Sequence, residues 1–126
     1  MERWRRELEG PGGFVRFPAA TAALAEFGGL RVEQGGAGVT SARETFELDP
    51  TLAVGEADRF ARFESIVGRR LYPLGEAGGG QYFLAISEDG QVFGVGDSIF
   101  DIGRTISEAI ENLIVGRRGR QPYCPS

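Results

Sequence analysis

The segment QYFLAISEDGQVFGV, residues 81–95, decides the fold because it has the pattern of a β-hairpin. Asp89 and Gly90 supply the positive φ angles that a tight turn between two strands requires. In the strand before this turn both alternating sets of side chains are apolar, which is the pattern of a central strand covered on both faces. The sequence therefore predicts an antiparallel pair, 81–87 with 91–95, in the middle of a sheet.

A helix is predicted before the hairpin, over residues 57–67, where three apolar side chains repeat at helical spacing and Gly68 follows as a stop. A short strand over 71–74 and a flexible glycine-rich loop over 75–80 would connect this helix with the hairpin. The three apolar side chains of the helix are Phe60, Phe63 and Val67.

The strongest local pattern in the chain predicts another helix after the hairpin. Thr105 and Glu108 have the spacing of a capping box, in which the two side chains bond free backbone N–H groups at the start of a helix. Gly116 suits the C-terminal end of that helix. Its apolar face would be formed by Ile106, Ile110, Leu113 and Ile114.

The N-terminal half predicts two helices and two short strands. A short polar helix would come first, and a second would begin at Pro18, bring Phe27 onto the core and end at Gly28. The strands would lie at about 30–33 and 44–48. The whole order, α, α, β, β, α, β, β, β, α, predicts an α+β single domain with a mostly antiparallel sheet packed against helices.

The boundaries of the domain follow from composition. A chain of 126 residues can bury a core without disulfides, and its one cysteine, Cys124, is expected to be a reduced thiol. No linker or repeat divides residues 1–116, whereas the basic residues 117–126 are expected to form a flexible tail.

Because no stretch approaches the apolar length of a membrane span, we expect a cytoplasmic protein.

The amino-acid composition argues against catalysis. The chain has no histidine, so it lacks the usual general base near neutral pH and the usual nitrogen ligand for zinc. The block Val95-Gly96-Asp97-Ser98-Ile99 looks like the nucleophile segment of GDSL-type esterases, but Ser98 has no base to take its proton. We expect residues 96–98 to form a turn instead, and we predict no catalytic residue, no metal site and no cofactor.

The charge distribution points to a protein partner. Residues 11–116 contain eight Arg against 15 Asp and Glu, a net charge of −7. Such a surface disfavours direct nucleic-acid binding, which depends on neutralising phosphates, and favours a basic partner. The alternative is that the excess acid only keeps a small protein in solution.

Five segments follow one another in a fixed order: Glu26-Phe27-Gly28-Gly29-Leu30, Leu48-Asp49-Pro50, Leu71-Tyr72-Pro73-Leu74-Gly75-Glu76, the Asp89-Gly90 turn, and Gly103 to Gly116. In this order they resemble the SUKH superfamily of bacterial immunity proteins, and within it the third SUKH subfamily. The resemblance runs from about Trp4 to Gly116. It implies a SUKH-like fold and a function in binding a toxin.

The resemblance implies that the chain neutralises a secreted or contact-delivered toxin by occluding its active site, without being an enzyme. Toxins associated with the superfamily are often nucleases or nucleic-acid deaminases, which carry basic clefts. The resemblance also allows an intracellular scaffold or regulatory module that binds other proteins. Most signature residues have structural interpretations, so the contact surface must be sought elsewhere.

The candidate contact residues are acids that we expect to be exposed in loops. Glu76 and Asp97 would lie at strand ends and share one face of the domain. The full set is Glu56, Asp58, Glu76, Glu88, Asp89, Asp97 and Asp101.

Overall fold

A computed structural model describes residues 17–36, 38, 45–53, 56–78, 80–96 and 99–116. It contains three α-helices, a short 3-10 helix and a six-stranded sheet among these residues. The predicted N-terminal helix and tail lie outside them, as do Asp97 and Ser98. The elements are α1 (Pro18–Phe27), β1 (Arg31–Val32), β2 (Phe46–Glu47), the 3-10 helix (Pro50–Ala53), α2 (Ala57–Val67), β3 (Leu71–Ala77), β4 (Tyr82–Ser87), β5 (Val92–Val95), β6 (Ile99–Gly103) and α3 (Ile106–Val115).

The sheet is antiparallel throughout, and its spatial order is the chain order, β1 to β6. Each strand pairs with the next strand in the chain, so no crossover is needed. The predicted α+β fold with an antiparallel sheet is therefore confirmed. No helix in the described part of the chain is long and apolar enough to cross a membrane.

Helices lie on both faces of the sheet, which explains why the side chains on both faces of β4 are apolar. Phe17, just before α1, packs edge-on against Tyr72 of β3, with ring centroids 6.3 Å apart. Phe60 of α2 packs on Phe83 of β4 at 5.7 Å. Strand register places Tyr72 and Phe83 on opposite faces, since Tyr72 pairs with Ile86, three residues from Phe83. The helices α1 and α2 therefore cover opposite sides of the sheet.

The Thr105 half of the capping box predicted for α3 is present. The Glu108 backbone N–H donates to Thr105 Oγ1 at 3.1 Å, and Glu108 Oε1 accepts from the Arg104 N–H at 3.3 Å. Only the Glu108 N–H belongs to the first turn, because Arg104 precedes the N-cap Thr105. The apolar face differs from the prediction at one end: Ala109 and Ile110 are buried, whereas Ile114 is 42% exposed.

Two predictions about the second half of the chain were wrong. Gly75 belongs to β3 and not to a loop, because the strand continues through an irregularity after Pro73 and pairs with β4 as far as Ala77. Residues 99–103 form a sixth strand, β6, which the predicted order of elements lacks, since they pair with β5.

Phe27 also differs from its predicted place. It is half-buried and packs against the core from its edge instead of lying within it. The most deeply buried aromatic side chains are Phe46, Phe60, Tyr72 and Phe93.

Candidate functional site

The candidate acids do not form a single patch. Glu56 and Asp58 lie at the start of α2, and Glu76 lies near the end of β3, where Phe83 of β4 pairs with it. Glu88 and Asp89 lie in the β4–β5 turn, at the opposite end of β4. Ser87 is four positions along β4 from Phe83, a distance of about 13 Å. The described acids therefore occupy both ends of the sheet, and Asp97 lies outside the described residues.

Glu76 occupies a strand and is half-buried, contrary to its predicted place in an exposed loop. Because β3 continues past Gly75, Glu76 is held between Glu47 of β2 and Phe83 of β4 in direct register. Arg31 of β1 is in turn opposite Glu47. Three charged residues of successive strands, Arg31, Glu47 and Glu76, thus form one charged row on one face of the sheet.

The charged row is electrostatically unbalanced. Arg31 donates to Glu47 Oε1 at 2.9 Å and also contacts Glu33 at 3.1 Å. Glu76 makes no ion pair with any residue that the structure describes, although another carboxylate stands on the neighbouring strand. Like charges directly opposite one another destabilise a sheet. Among the described residues, Glu76 is therefore an acid of the row that no cation compensates.

An arginine and two aromatic rings adjoin the charged row. The Arg59 guanidinium lies 5.7 Å from the ring centres of both Phe63 and Phe83. Glu56, the residue before α2, contacts Arg59 of that helix at 3.6 Å, so this candidate acid is already paired. Arginine and aromatic side chains are the residue types most enriched at protein interfaces.

The acids of the β4–β5 turn are paired with arginines that follow α2. Arg69 Nη1 lies 3.7 Å from Asp89 Oδ2, and Arg70 Nη1 lies 3.5 Å from Glu88 Oε2. Asp89 also accepts a hydrogen bond from the Ser87 hydroxyl, and this bond is the main reason that its pKa is lowered. Arg69 lowers the pKa further. The turn is therefore less acidic as a surface than its sequence suggests.

An open recess of about 440 Å³ lies beside this turn, where β5 begins and β6 ends. Its lining combines two carboxylates, one amide and one guanidinium. Asp101 in β6 is directly opposite Phe93 of β5. Within the described residues, Asp101 Oδ1 is buried and accepts no hydrogen bond. The lining residues are Asp89, Gln91, Asp101 and Arg104.

The recess unites two of the predicted acids, Asp89 and Asp101, and adds Gln91 and Arg104, which sequence reasoning missed. Neither addition has a sequence signal of its own, because the recess is created by the pairing of β5 with β6. The charged row likewise adds Arg31 and Glu47.

No assembled metal site accompanies these surfaces. In the part of the chain that the structure describes, no three Asp, Glu or Cys side chains converge closely enough to hold a metal ion. What these residues can do chemically is pair with cations and donate hydrogen bonds from the arginines.

The fold and these surfaces define a small α+β domain whose distinctive outer features are charged. A family model described as SUKH-3 immunity protein matches residues 1–116. The chain therefore belongs to the SUKH-3 immunity protein family, as the five sequence segments indicate. No curated protein and no solved structure matches the chain.

Proposed function

We propose that this protein neutralises a cognate bacterial toxin by binding it and occluding its active site, without acting as an enzyme. The supporting observation is the family match over residues 1–116, since this is a family of immunity proteins. The proposed place of action is the cytoplasm, where an incoming toxin would meet its target.

The proposed toxin carries a basic cleft, as a nuclease or nucleic-acid deaminase must. The net charge of −7 over residues 11–116 favours association with such a surface and speeds encounter. Acidic side chains would compete with nucleic-acid phosphates for the same toxin cations.

The charged row is the surface we propose for this contact. Among the described residues, Glu76 is the member of the row without an ion pair, and a toxin lysine or arginine placed between Glu47 and Glu76 would relieve their repulsion. Phe83 and Arg59 adjoin it and would provide the aromatic and guanidinium contacts that often dominate binding energy. A typical interface of about 800 Å² on each partner is wide enough to cover these residues together.

The test is growth of cells that produce the toxin encoded beside this gene together with each variant of the protein. Wild type should protect. Glu76→Arg should protect less, because the new charge repels a basic cleft, while its position beside Glu47 favours an intact fold. Glu26→Arg is the matched control, since Glu26 is exposed on α1, which covers the opposite face of the sheet.

Equal protection by folded Glu76→Arg and Glu26→Arg would remove the charged row from the interface. Failure of folded wild-type protein to protect at all would contradict the proposed function itself.

A further inference from the structure

The two edge strands of the sheet differ in length and chemistry. β1 is two residues long, and its Arg31 is exposed and charged, as is Glu33 just beyond it. β6 is five residues long and carries three buried apolar side chains, Ile99, Phe100 and Ile102. An edge strand can pair with a strand of another chain, and short length and charge are common defences against such pairing. β1 has both defences, whereas β6 is longer and mostly apolar.

The helix α3 lies against the end of β6. The Asn112 side-chain amide donates to the Ile102 carbonyl at 2.7 Å. Ile102 has no register partner on β5, because the pairing of these strands is irregular at this point. A Cβ atom on Gly103 would stand 2.6 Å from the Ala109 backbone nitrogen, so the helix backbone approaches the strand directly. Asn112 therefore occupies an acceptor at the edge that a strand of another chain could use.

The same helix is also held near the opposite edge of the sheet. The carbonyl of Leu113, the residue after Asn112, accepts from Gln34 Nε2 at 2.7 Å, and Gln34 is two positions past the end of β1. In a flat sheet of six strands the two edges would lie about 24 Å apart. Because consecutive residues of α3 bond groups at both edges, the sheet curves toward this helix.

We infer that Asn112 holds α3 against the edge of β6 and thereby prevents β6 from pairing with β6 of a second copy of this chain. A second copy fits this edge because two identical strands related by a two-fold axis pair antiparallel, which continues the pattern of the whole sheet. Such pairing would also bring the apolar side chains of the two β6 strands together. The inference does not depend on the proposed function.

The experiment measures the mass of the purified full chain by sedimentation velocity over a range of protein concentrations. Wild type should remain a monomer. Asn112→Ala should form a reversible dimer whose dissociation constant is at least about tenfold below that of wild type, since one freed hydrogen-bonding group is worth roughly 1 kcal/mol. Glu111→Ala, at an exposed position of the same helix, should behave as wild type.

Gln34→Ala is the second control, because it removes a hydrogen bond to the same helix while the Ile102 carbonyl stays covered. It should also remain a monomer. Hydrogen exchange locates the contact: the backbone amides of β6 should exchange more slowly in the Asn112→Ala dimer than in its monomer. If Asn112→Ala does not fold, Asn112→Asp removes the donor with little change of shape, and added salt screens its charge.

Three outcomes would overturn the inference. The first is that a folded variant without the Asn112 donor stays as monomeric as Glu111→Ala. The second is equal dimerisation of Gln34→Ala, which would show that any loosening of α3 has this effect. The third is a dimer, of wild type or variant, in which the exchange of the β6 amides does not slow. Because the experiment contains no toxin, its failure leaves the proposed function unaffected.

Discussion

The ring of Phe100 in β6 lies over the α-carbon of Gly94 in β5, its partner in register. A Cβ atom on residue 94 would stand 2.5 Å from Phe100 Cζ. Gly94→Ala should therefore lower the free energy of unfolding by about 1–3 kcal/mol, because the ring must move within a packed core. Urea unfolding measures the change.

Gly35→Ala is the matched control for this prediction. Its Cβ would meet nothing within 4 Å, and its backbone does not require a positive φ angle. An equal loss of stability in both variants would show that the ring of Phe100 does not restrict position 94.

Gly75→Ala should be more damaging than Gly94→Ala. A Cβ atom at residue 75 would meet the backbone carbonyl of Glu47, which cannot rotate away as a side chain can. Either the β2–β3 pairing opens or the strand shifts, so we expect a loss above about 3 kcal/mol and a displaced charged row. If Gly75→Ala unfolds at the same urea concentration as wild type, β2 does not lie against Gly75 as described.

Thr105→Ala should lower the free energy of unfolding by about 1 kcal/mol, since it removes the side chain that accepts the Glu108 N–H. Ser107→Ala serves as control, because Ser107 is exposed in the same helical turn. Thermal unfolding of both proteins checks the prediction, and a Thr105→Ala protein as stable as Ser107→Ala would refute the capping role.

Ser87→Ala should raise the pKa of Asp89 toward its ordinary value of 3.8, because the hydroxyl bond is the largest cause of the lowered pKa. A carboxyl group with a lowered pKa in the folded protein adds stability above its ordinary pKa and loses it as the pH falls through the lowered value. The difference in the free energy of unfolding between wild type and Ser87→Ala should therefore become smaller below about pH 4.

Carbon-13 titration of the Asp89 carboxyl group gives the pKa in each protein. Ser65→Ala, at an exposed site on α2, should leave the Asp89 titration unchanged. An identical Asp89 pKa in wild type and Ser87→Ala would contradict this assignment.

Elements whose apolar spacing and end residues both appear in the sequence could be predicted from it. The helix over 57–67 has its predicted bounds, because three apolar residues and the stop at Gly68 leave little choice of register. The strand β6 could not be predicted, since Ile99, Phe100 and Ile102 do not alternate with polar residues and only pairing with β5 makes them a strand.

The candidate site was less predictable than the fold, because it depends on register between strands. Nothing near Asp101 in the sequence indicates Asp89, yet the β5–β6 pairing brings both to one recess. The glycines around Glu76 predict a loop, whereas in the structure β3 continues past an irregularity after Pro73 and places Glu76 beside Glu47. The ion pairs of Arg69 with Asp89 and of Arg70 with Glu88 could not be predicted either, because only the tertiary structure brings these residues together.

The central claim is that the protein neutralises its toxin by occupying the active site and not by chemistry. The most direct measurement titrates the purified toxin, acting on its nucleic-acid substrate, with increasing amounts of this protein. The account predicts inhibition that is complete at an equimolar ratio, with unmodified and fully active toxin recovered when the complex is dissociated. Toxin inactivated by far less than one equivalent, or left fully active by an excess of folded protein, would contradict it.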